Sequence, residues 1–484
     1  MTEIKMKDES FRDHIATVDA QGKRVIIYPS KPKGQLHRAR LIVSWFLLAF
    51  MFAAPFIKVG GRPLLLFNVF ERKFVLFGLA FWPQDFHLFV LATLTFVVFI
   101  VLFTVVFGRL WCGWACPQTI FMEMVFRKIE YWIEGNSGKQ RALDRGPWNG
   151  KKTFKKLSKH AIFLAISFAV GNIVVAYMVG VDKLYQLIAD GPGPHLASFI
   201  AVVAFSLITY GVFARFREQV CLIVCPYGRL QSVLLDERSI AVAYDFKRGE
   251  PRAPMAMKGA APRTAGDCIT CNQCVEVCPT GIDIRNGTQL ECVNCTACID
   301  ACNTVMAKVG FPKGLIRYTS HRGIVDGTKL RVTPRIIGYS SVLVVLLTAL
   351  VLLMANRSDI ETSILRTPGV MFQEIEGDQI RNLYSLKIIN KTFAAMPVKL
   401  VLEGHPGTIT MVGGEINLPE QGLAEQAFFV DIPRSALHSA HEELTIQVIA
   451  GEKVMEEVET KFLGPRVSHD DDSKDKDKKE NEHD

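Results

Sequence analysis

Five uncharged apolar runs, eight cysteines in a doubled C-x2-C-x2-C-x3-C pattern, and a β-patterned stretch after the last run predict a multi-domain membrane protein. The expected architecture is an α-helical transmembrane bundle of five spans, carrying an inserted ferredoxin-like domain and a C-terminal all-β Ig-like sandwich. In chain order this gives a basic N-terminal segment (1–40), a four-span membrane domain (41–235) and a cysteine-rich insert (250–320). A fifth span (336–356), the β-domain (357–465) and a charged tail (466–484) follow.

The spans come first. Runs 41–57, 86–107, 161–181, 196–214 and 336–356 each hold 17 to 22 residues without Asp, Glu, Lys or Arg, and about twenty apolar residues cross the hydrocarbon core. Five such runs argue against buried helices of a large soluble protein. Residues 74–84 are apolar but too few to cross, and with 63–70 they are expected to be interfacial or re-entrant. A net charge of +8 would suit a nucleic-acid binder, but the basic residues flank the spans, so no nucleic acid is expected. Nine Lys and Arg precede the first span and eleven lie in 109–159, against four in 58–85 and one in 182–195. Positive charge stays inside. The N-terminus and everything from Arg215 to Arg335 are therefore expected in the cytoplasm of a bacterial inner membrane, with the C-terminal domain in the periplasm. The first forty residues are polar, the wrong order for a cleavable leader.

All twelve cysteines lie between Cys112 and Cys302, which excludes a secreted disulfide scaffold and suggests metal binding in a reducing compartment. Cys268, Cys271, Cys274 and Cys278-Pro279 are followed by Cys292, Cys295, Cys298 and Cys302 at the same spacing. This is the pattern of a bacterial two-cluster ferredoxin, in which the fourth cysteine of each run serves the other cluster. Three thiolates on one tight loop cap three irons of a cubane, and the fourth must come from elsewhere. Cys268, Cys271, Cys274 and Cys302 are therefore assigned to one [4Fe–4S] cluster, and Cys292, Cys295, Cys298 and Cys278 to a second. Zinc also takes C-x-x-C pairs, but eight thiolates without a histidine disfavour it. Asn303 stands where a proline usually follows the last cysteine; that proline is no ligand. Residues 250–267, rich in Pro, Gly and Ala, read as the linker to the insert.

A second device is repeated 109 residues apart: Cys112-x3-Cys116-Pro117 after the second span and Cys221-x3-Cys225-Pro226 after the fourth. A helix continuing through either pair would place both sulfurs on one face. Soft thiolates so placed suit Cu(I), zinc or a redox dithiol, while buried cysteines also act as small hydrophobes. If the two hairpins pack side by side, Cys112, Cys116, Cys221 and Cys225 form one shared site.

The remaining features are less specific. His87, His160 and His195 read as interface residues, since no pair of histidines faces across the spans as axial haem ligands would. Trp111, Trp114 and Trp132 read as interfacial anchors, and 121–134 (FMEMVFRKIEYWIE) as an amphipathic surface helix. No nucleotide or flavin motif stands out. After the fifth span, 383–390, 398–403, 428–432 and 444–449 are β-rich and separated by Gly and Pro. Val398, Leu400 and Leu402 alternate with Lys399, Val401 and Glu403, and Leu444, Ile446 and Val448 with Thr445, Gln447 and Ile449. About a hundred such residues suit a small antiparallel sandwich. The tail from Ser468 is low-complexity and charged, and is expected to be disordered.

The whole arrangement resembles the cytochrome c oxidase accessory protein family (CcoG, also FixG or RdxA), a group of membrane-bound polyferredoxins. The resemblance rests on the basic N-terminus, Trp111-Cys112-Gly113-Trp114-Ala115-Cys116-Pro117, Cys221-x3-Cys225-Pro226-Tyr227-Gly228, both ferredoxin runs and the C-terminal sandwich. It implies a role in assembling the cbb-type haem–copper oxidase, through reduction of Cu(II) to Cu(I). It also implies oxidase subunits or copper-delivery proteins as partners, with an unidentified electron donor; a homodimer is compatible with it. The competing expectation is a quinol-dehydrogenase-like electron-transfer subunit, which would lack the fifth span and the outward β-domain. A third is a docking scaffold whose clusters sense redox state.

Overall fold

The computed structural model describes residues 16–19, 21–70, 73–82, 85–255, 265–327, 332–369 and 371–465. The tail expected to be disordered, the first fifteen residues and the middle of the 250–267 linker lie outside these. The chain forms two compact units. One holds the described residues from 16 to 350 except 59–62 and 70–86, and the other holds those two stretches with 351–465.

Among the described residues, five helices are long and apolar enough to cross a membrane: Gln35–Phe56, Phe86–Phe107, Gly150–Val179, Leu196–Phe216 and Pro334–Ala355. The third begins eleven residues before the expected run at 161, because Lys151 to Lys159 continue the helix beyond the apolar core behind an Asn149 cap on the Lys152 amide. Arg40, Ser44 and Leu48 fall on one buried stripe of the first span. Residues 73–81 form a β-hairpin rather than a re-entrant segment, pairing Leu76 with Leu79 around Phe77-Gly78, both at positive φ.

The 121–134 segment is the clearest departure from expectation. It is a π-helical turn, Phe121–Phe126, running into the helix Arg127–Ile133, and it is buried. Phe126 stacks on Phe213 at 4.5 Å and meets Phe163 edge-on at 4.7 Å. Its charges, which read as a solvent face, are paired inside. Arg127 lies 2.7 Å from Glu123 and 3.7 Å from Glu218, Lys159 lies 2.9 Å from Glu134, and Arg217 binds Glu130. Only Trp132 points outward, 79% exposed.

The insert is framed by a two-stranded antiparallel ribbon, Ala241–Tyr244 with Ile316–Thr319. Its core packs Val242, Ile282, Ile284, Ile299, Met306 and Ile316 around the cysteines. Asp300, on the helix Ala297–Val309, accepts hydrogen bonds from the Leu36 and His37 amides at 3.3 and 2.8 Å. A carboxylate of the insert thus caps the N-terminus of the first span, where the helix dipole favours negative charge.

The C-terminal domain is an antiparallel sandwich of nine strands among the described residues: β1 (Ile360–Arg366), β2 (Gln373–Ile375), β3 (Gln379–Asn390), β4 (Met396–Glu403), β5 (Thr408–Met411), β6 (Ile416–Leu418), β7 (Leu423–Pro433), β8 (His441–Ala450) and β9 (Lys453–Leu463). One sheet runs β5-β7-β3-β1 with β2 also on β3, and the other β6-β4-β8-β9. Val398, Leu444, Ile446 and Val448 face the core, where Tyr384 stacks on Phe428. In the same unit Asp85 binds Arg357 at 2.7 Å and Lys391 at 2.8 Å.

Candidate iron–sulfur and thiolate centres

The two ferredoxin runs fold alike. In each, the residues flanking the central cysteine have positive φ: Thr270 and Asn272 around Cys271, and Asn294 and Thr296 around Cys295. Left-handed positions alternating with right-handed ones turn successive amide N–H groups inward, a nest that suits anionic groups and iron–sulfur sites. Threonine is strained there, the kind of strain that concentrates at functional sites.

The sulfurs fall into groups. Cys302, carried by the helix Ala297–Val309, lies in the field of Cys274, Cys271 and Cys268. Cys292, Cys295 and Cys298 each lie in the field of Cys278. Cys278, Cys292, Cys295 and Cys298 line one void, together with Cys274, Ile282 and Ile284. The structure thus brings Cys302 to the first run and Cys278 to the second. Burial pushes the Cys274, Cys292 and Cys302 thiols up to about 12, and Cys295 to about 11. Such thiols keep their protons until a cation replaces them. Cys271 alone among the cysteines is exposed.

The C-x3-C-P pairs also converge. Cys221 lies in the field of Cys116, Cys112 and Cys225, and Cys112 in that of Cys116 and Cys225. Burial pushes Cys112 up to about 11 and Cys221 to about 12. No single helix runs through either pair. Cys116 and Cys225 are extended residues (ψ 123° and 113°) that precede the helices starting at Pro117 and Pro226. A proline excludes the residue before it from the helical region and favours a fresh helix start. Each sulfur pair therefore brackets a break rather than decorating one face. Among the described residues no three Cys, His, Asp or Glu side chains converge on one ion position. Neither a cubane, with one thiolate per iron, nor Cu(I) between two sulfurs requires that.

Several residues that sequence reasoning passed over hold these groups together. Arg109 donates to Gly228 O at 2.7 Å and to Leu290 O, tying both C-x3-C-P turns to the insert. Gln231 meets the Cys112 sulfur at 3.5 Å, and Arg40 donates to Gly113 O at 2.5 Å. Trp114 is no interfacial anchor: its Nε1 donates to the Tyr318 hydroxyl at 3.0 Å, which donates to Asn294 O at 3.0 Å. None of these carried a signal beyond proximity to a cysteine. His160 Nδ1 meets the Tyr210 hydroxyl at 2.9 Å, and His195 meets Asp190 at 3.2 Å.

Residues 216–321 match a 4Fe-4S dicluster domain, and residues 350–465 match the IG-like fold at the C-terminal of FixG. Residues 89–140, whose only cysteines are Cys112 and Cys116, match a 4Fe-4S binding domain. The chain is 31% identical over 468 residues to the nitrogen fixation protein FixG of Rhizobium meliloti, covering 87% of this chain and 89% of that one. It is 32% identical over 420 residues to protein RdxB of Cereibacter sphaeroides, covering 82% and 88%. Protein RdxA of the same organism is 33% identical over 414 residues, covering 82% and 86%. The crystal structure of a FixG-related protein from Vibrio parahaemolyticus aligns with 22% of this chain and 97% of its own, at 20% identity and a TM-score of 0.20.

Proposed function

The chain belongs to the FixG family of membrane iron–sulfur electron-transfer proteins, and from that premise we propose that it reduces Cu(II) to Cu(I) for insertion into a cbb-type haem–copper oxidase. Cys268, Cys271, Cys274 and Cys302 hold one [4Fe–4S] cluster, and Cys278, Cys292, Cys295 and Cys298 the other. When bound, the clusters supply single electrons. Copper is the substrate: one electron converts Cu(II) to Cu(I), the ion thiolates favour. Cys112, Cys116, Cys221 and Cys225 receive it, releasing thiol protons as it binds. Arg109, Arg40 and Trp114 keep that quartet against the 290–294 loop. The observation that carries the reading is the convergence of the four C-x3-C-P cysteines beside the second ferredoxin run. Oxidase subunits or copper-delivery proteins are its partners.

The site lies on the cytoplasmic face of a bacterial inner membrane, with the sandwich in the periplasm. Lys and Arg asymmetry supports this. A topology reporter placing Cys268 outside would reverse the assignment.

The test is anaerobic purification followed by iron, sulfide and EPR measurement before and after stoichiometric Cu(II). About eight irons, oxidised as Cu(I) forms, are expected for two cubanes, and changing the quartet to serine is expected to abolish copper reduction while keeping the iron. The 4Fe-4S match over 89–140 favours a second reading, in which the quartet itself holds an iron–sulfur group. About twelve irons, falling to eight in the serine variant, would establish it instead. Clusters indifferent to copper and reduced by quinol would favour an electron-transfer subunit.

A further inference from the structure

A cavity of about 670 Å³ opens between the N-terminal strap, the helix Ser137–Arg145 and the first ferredoxin loop. This falls within the range of small-molecule sites, roughly 300–1,000 Å³. One wall is apolar: Val25, Ile26, Ile27 and Val275 line it. Tyr28 adds a ring whose hydroxyl is tied to Asp144. Arg141 and Arg145, one turn apart on the same helix face, also line the cavity. Two of the three carboxylates in the lining are already neutralised. Asp144 lies 2.6 Å from Lys156, and Asp283 closes on Arg285 at 2.6 Å. Among the described residues Arg141 donates to the Tyr28 carbonyl, at 3.5 Å. Among the described residues neither guanidinium is in an ion pair, and Glu276 is the one lining carboxylate not held by a cation. Glu276, which accepts from Gln273 at 3.3 Å, keeps lone pairs for a ligand N–H or hydroxyl. Asn272, in the lining, directly follows Cys271, the exposed cysteine.

We propose that this cavity binds a flavin mononucleotide, phosphate on Arg141 and Arg145 and ring along Val25–Ile27 and Tyr28, as the electron donor. The inference rests on reading the adjoining cysteines as cluster ligands. Planar bidentate guanidiniums suit a phosphate, and the apolar wall suits the isoalloxazine. A reduced nicotinamide gives up its electron pair as a hydride. A reduced flavin loses its two electrons singly and two protons to water through the open mouth, becoming oxidised flavin. The acceptor, by class, is the iron–sulfur centre of the adjoining loop.

The test is a fluorescence-quenching titration of the full-length, detergent-purified, iron-loaded protein with FMN and with riboflavin. Saturable binding of one FMN per chain is expected, with riboflavin weaker by about tenfold or more for loss of the charge-assisted bonds. R141A/R145A is expected to bring FMN down to the riboflavin affinity and leave riboflavin unchanged. I26W, which fills the slot, is expected to weaken both. Absence of quenching, equal binding of FMN and riboflavin, an R141A/R145A variant that binds as wild type, or displacement of FMN by NADH at equal affinity would each overturn the proposal. Iron and sulfide content on the same samples reports separately on the cluster reading.

Discussion

Replacing Gly113 by alanine tests whether the quartet and the second ferredoxin run are docked as described. A methyl at Gly113 would meet the carbonyl oxygens of Val293 and Asn294, each at 2.6 Å, where ordinary contact begins at 3.4 Å. The surfaces must part by about 0.8 Å, the difference of those two distances. The Asn294 carbonyl is not free to swing aside, because it accepts from Tyr318 and the Asn294 side chain accepts from the Val242 amide at 3.1 Å. Overpacking of this kind costs about 1–3 kcal/mol, offset by about 0.5–1 kcal/mol gained on removing a helical glycine. The net of about 0.5–2 kcal/mol corresponds to a factor of roughly 2–30 in the local opening equilibrium. Hydrogen exchange of 110–116 and 290–296 is expected to accelerate by that factor while iron content is unchanged, and Cu(I) formation to slow. G138A is the control: nothing lies within 4 Å of a methyl there, so stability is expected to hold or rise slightly. Exchange in G113A matching wild type, or G138A behaving like G113A, would refute the docking.

Other perturbations follow from the same structure. R127M leaves Glu123 buried without its cation and Glu218 with Arg24 alone, and is expected to destabilise the membrane domain by about 3–5 kcal/mol, read as a fall in folded yield and in thermal aggregation temperature in detergent. D85N removes one carboxylate from Arg357 and from Lys391, which keeps Glu361, with a smaller loss, about 1.5–3 kcal/mol. Burial tends to raise the Asp85 pKa, but hydrogen bonds from Lys391 and Arg357 outweigh it and hold it below the usual value. Its stabilisation is therefore complete above the ordinary carboxylate pKa, about 4, and is lost as pH falls through the lower folded value; acid titration of wild type against D85N should converge there. Glu456 runs the other way. Burial raises its pKa, so its charge destabilises the sandwich above the folded value, and E456Q is expected to raise the melting temperature at pH 7 but not near pH 4, about the unfolded value.

The spans were legible because crossing a bilayer demands a length of uncharged sequence that few other folds require. The cysteine runs were legible because ligand spacing is a local constraint. Local patterning failed where a partner was distant. Glu123, Arg127, Glu130 and Glu134 recur at helical spacing, as on a solvated face, yet Arg217, Lys159 and Glu218 meet them from elsewhere in the chain. Lys453–Leu463 was passed over for a similar reason. It carries Lys453, Glu456, Glu457, Glu459 and Lys461, charges that suit the sheet edge it occupies.

The two C-x3-C-P turns mark the boundary between these cases. A proline after Cys116 and Cys225 rules out a continuous helix by local sterics alone, so the break was readable from the sequence once spacing was not allowed to override it. The positive φ at Thr270 and Thr296 was not readable, because a β-branched residue argues against that conformation at every other kind of site. Left-handed backbone occurs at both positions flanking the central cysteine in both loops, with threonine before Cys271 and after Cys295 and asparagine at the other two. Chance strain would not recur in register, whereas a shared requirement to turn amide N–H groups toward one anionic group would impose it twice. The repeated violation therefore points to a bound group more strongly than agreement with propensity could.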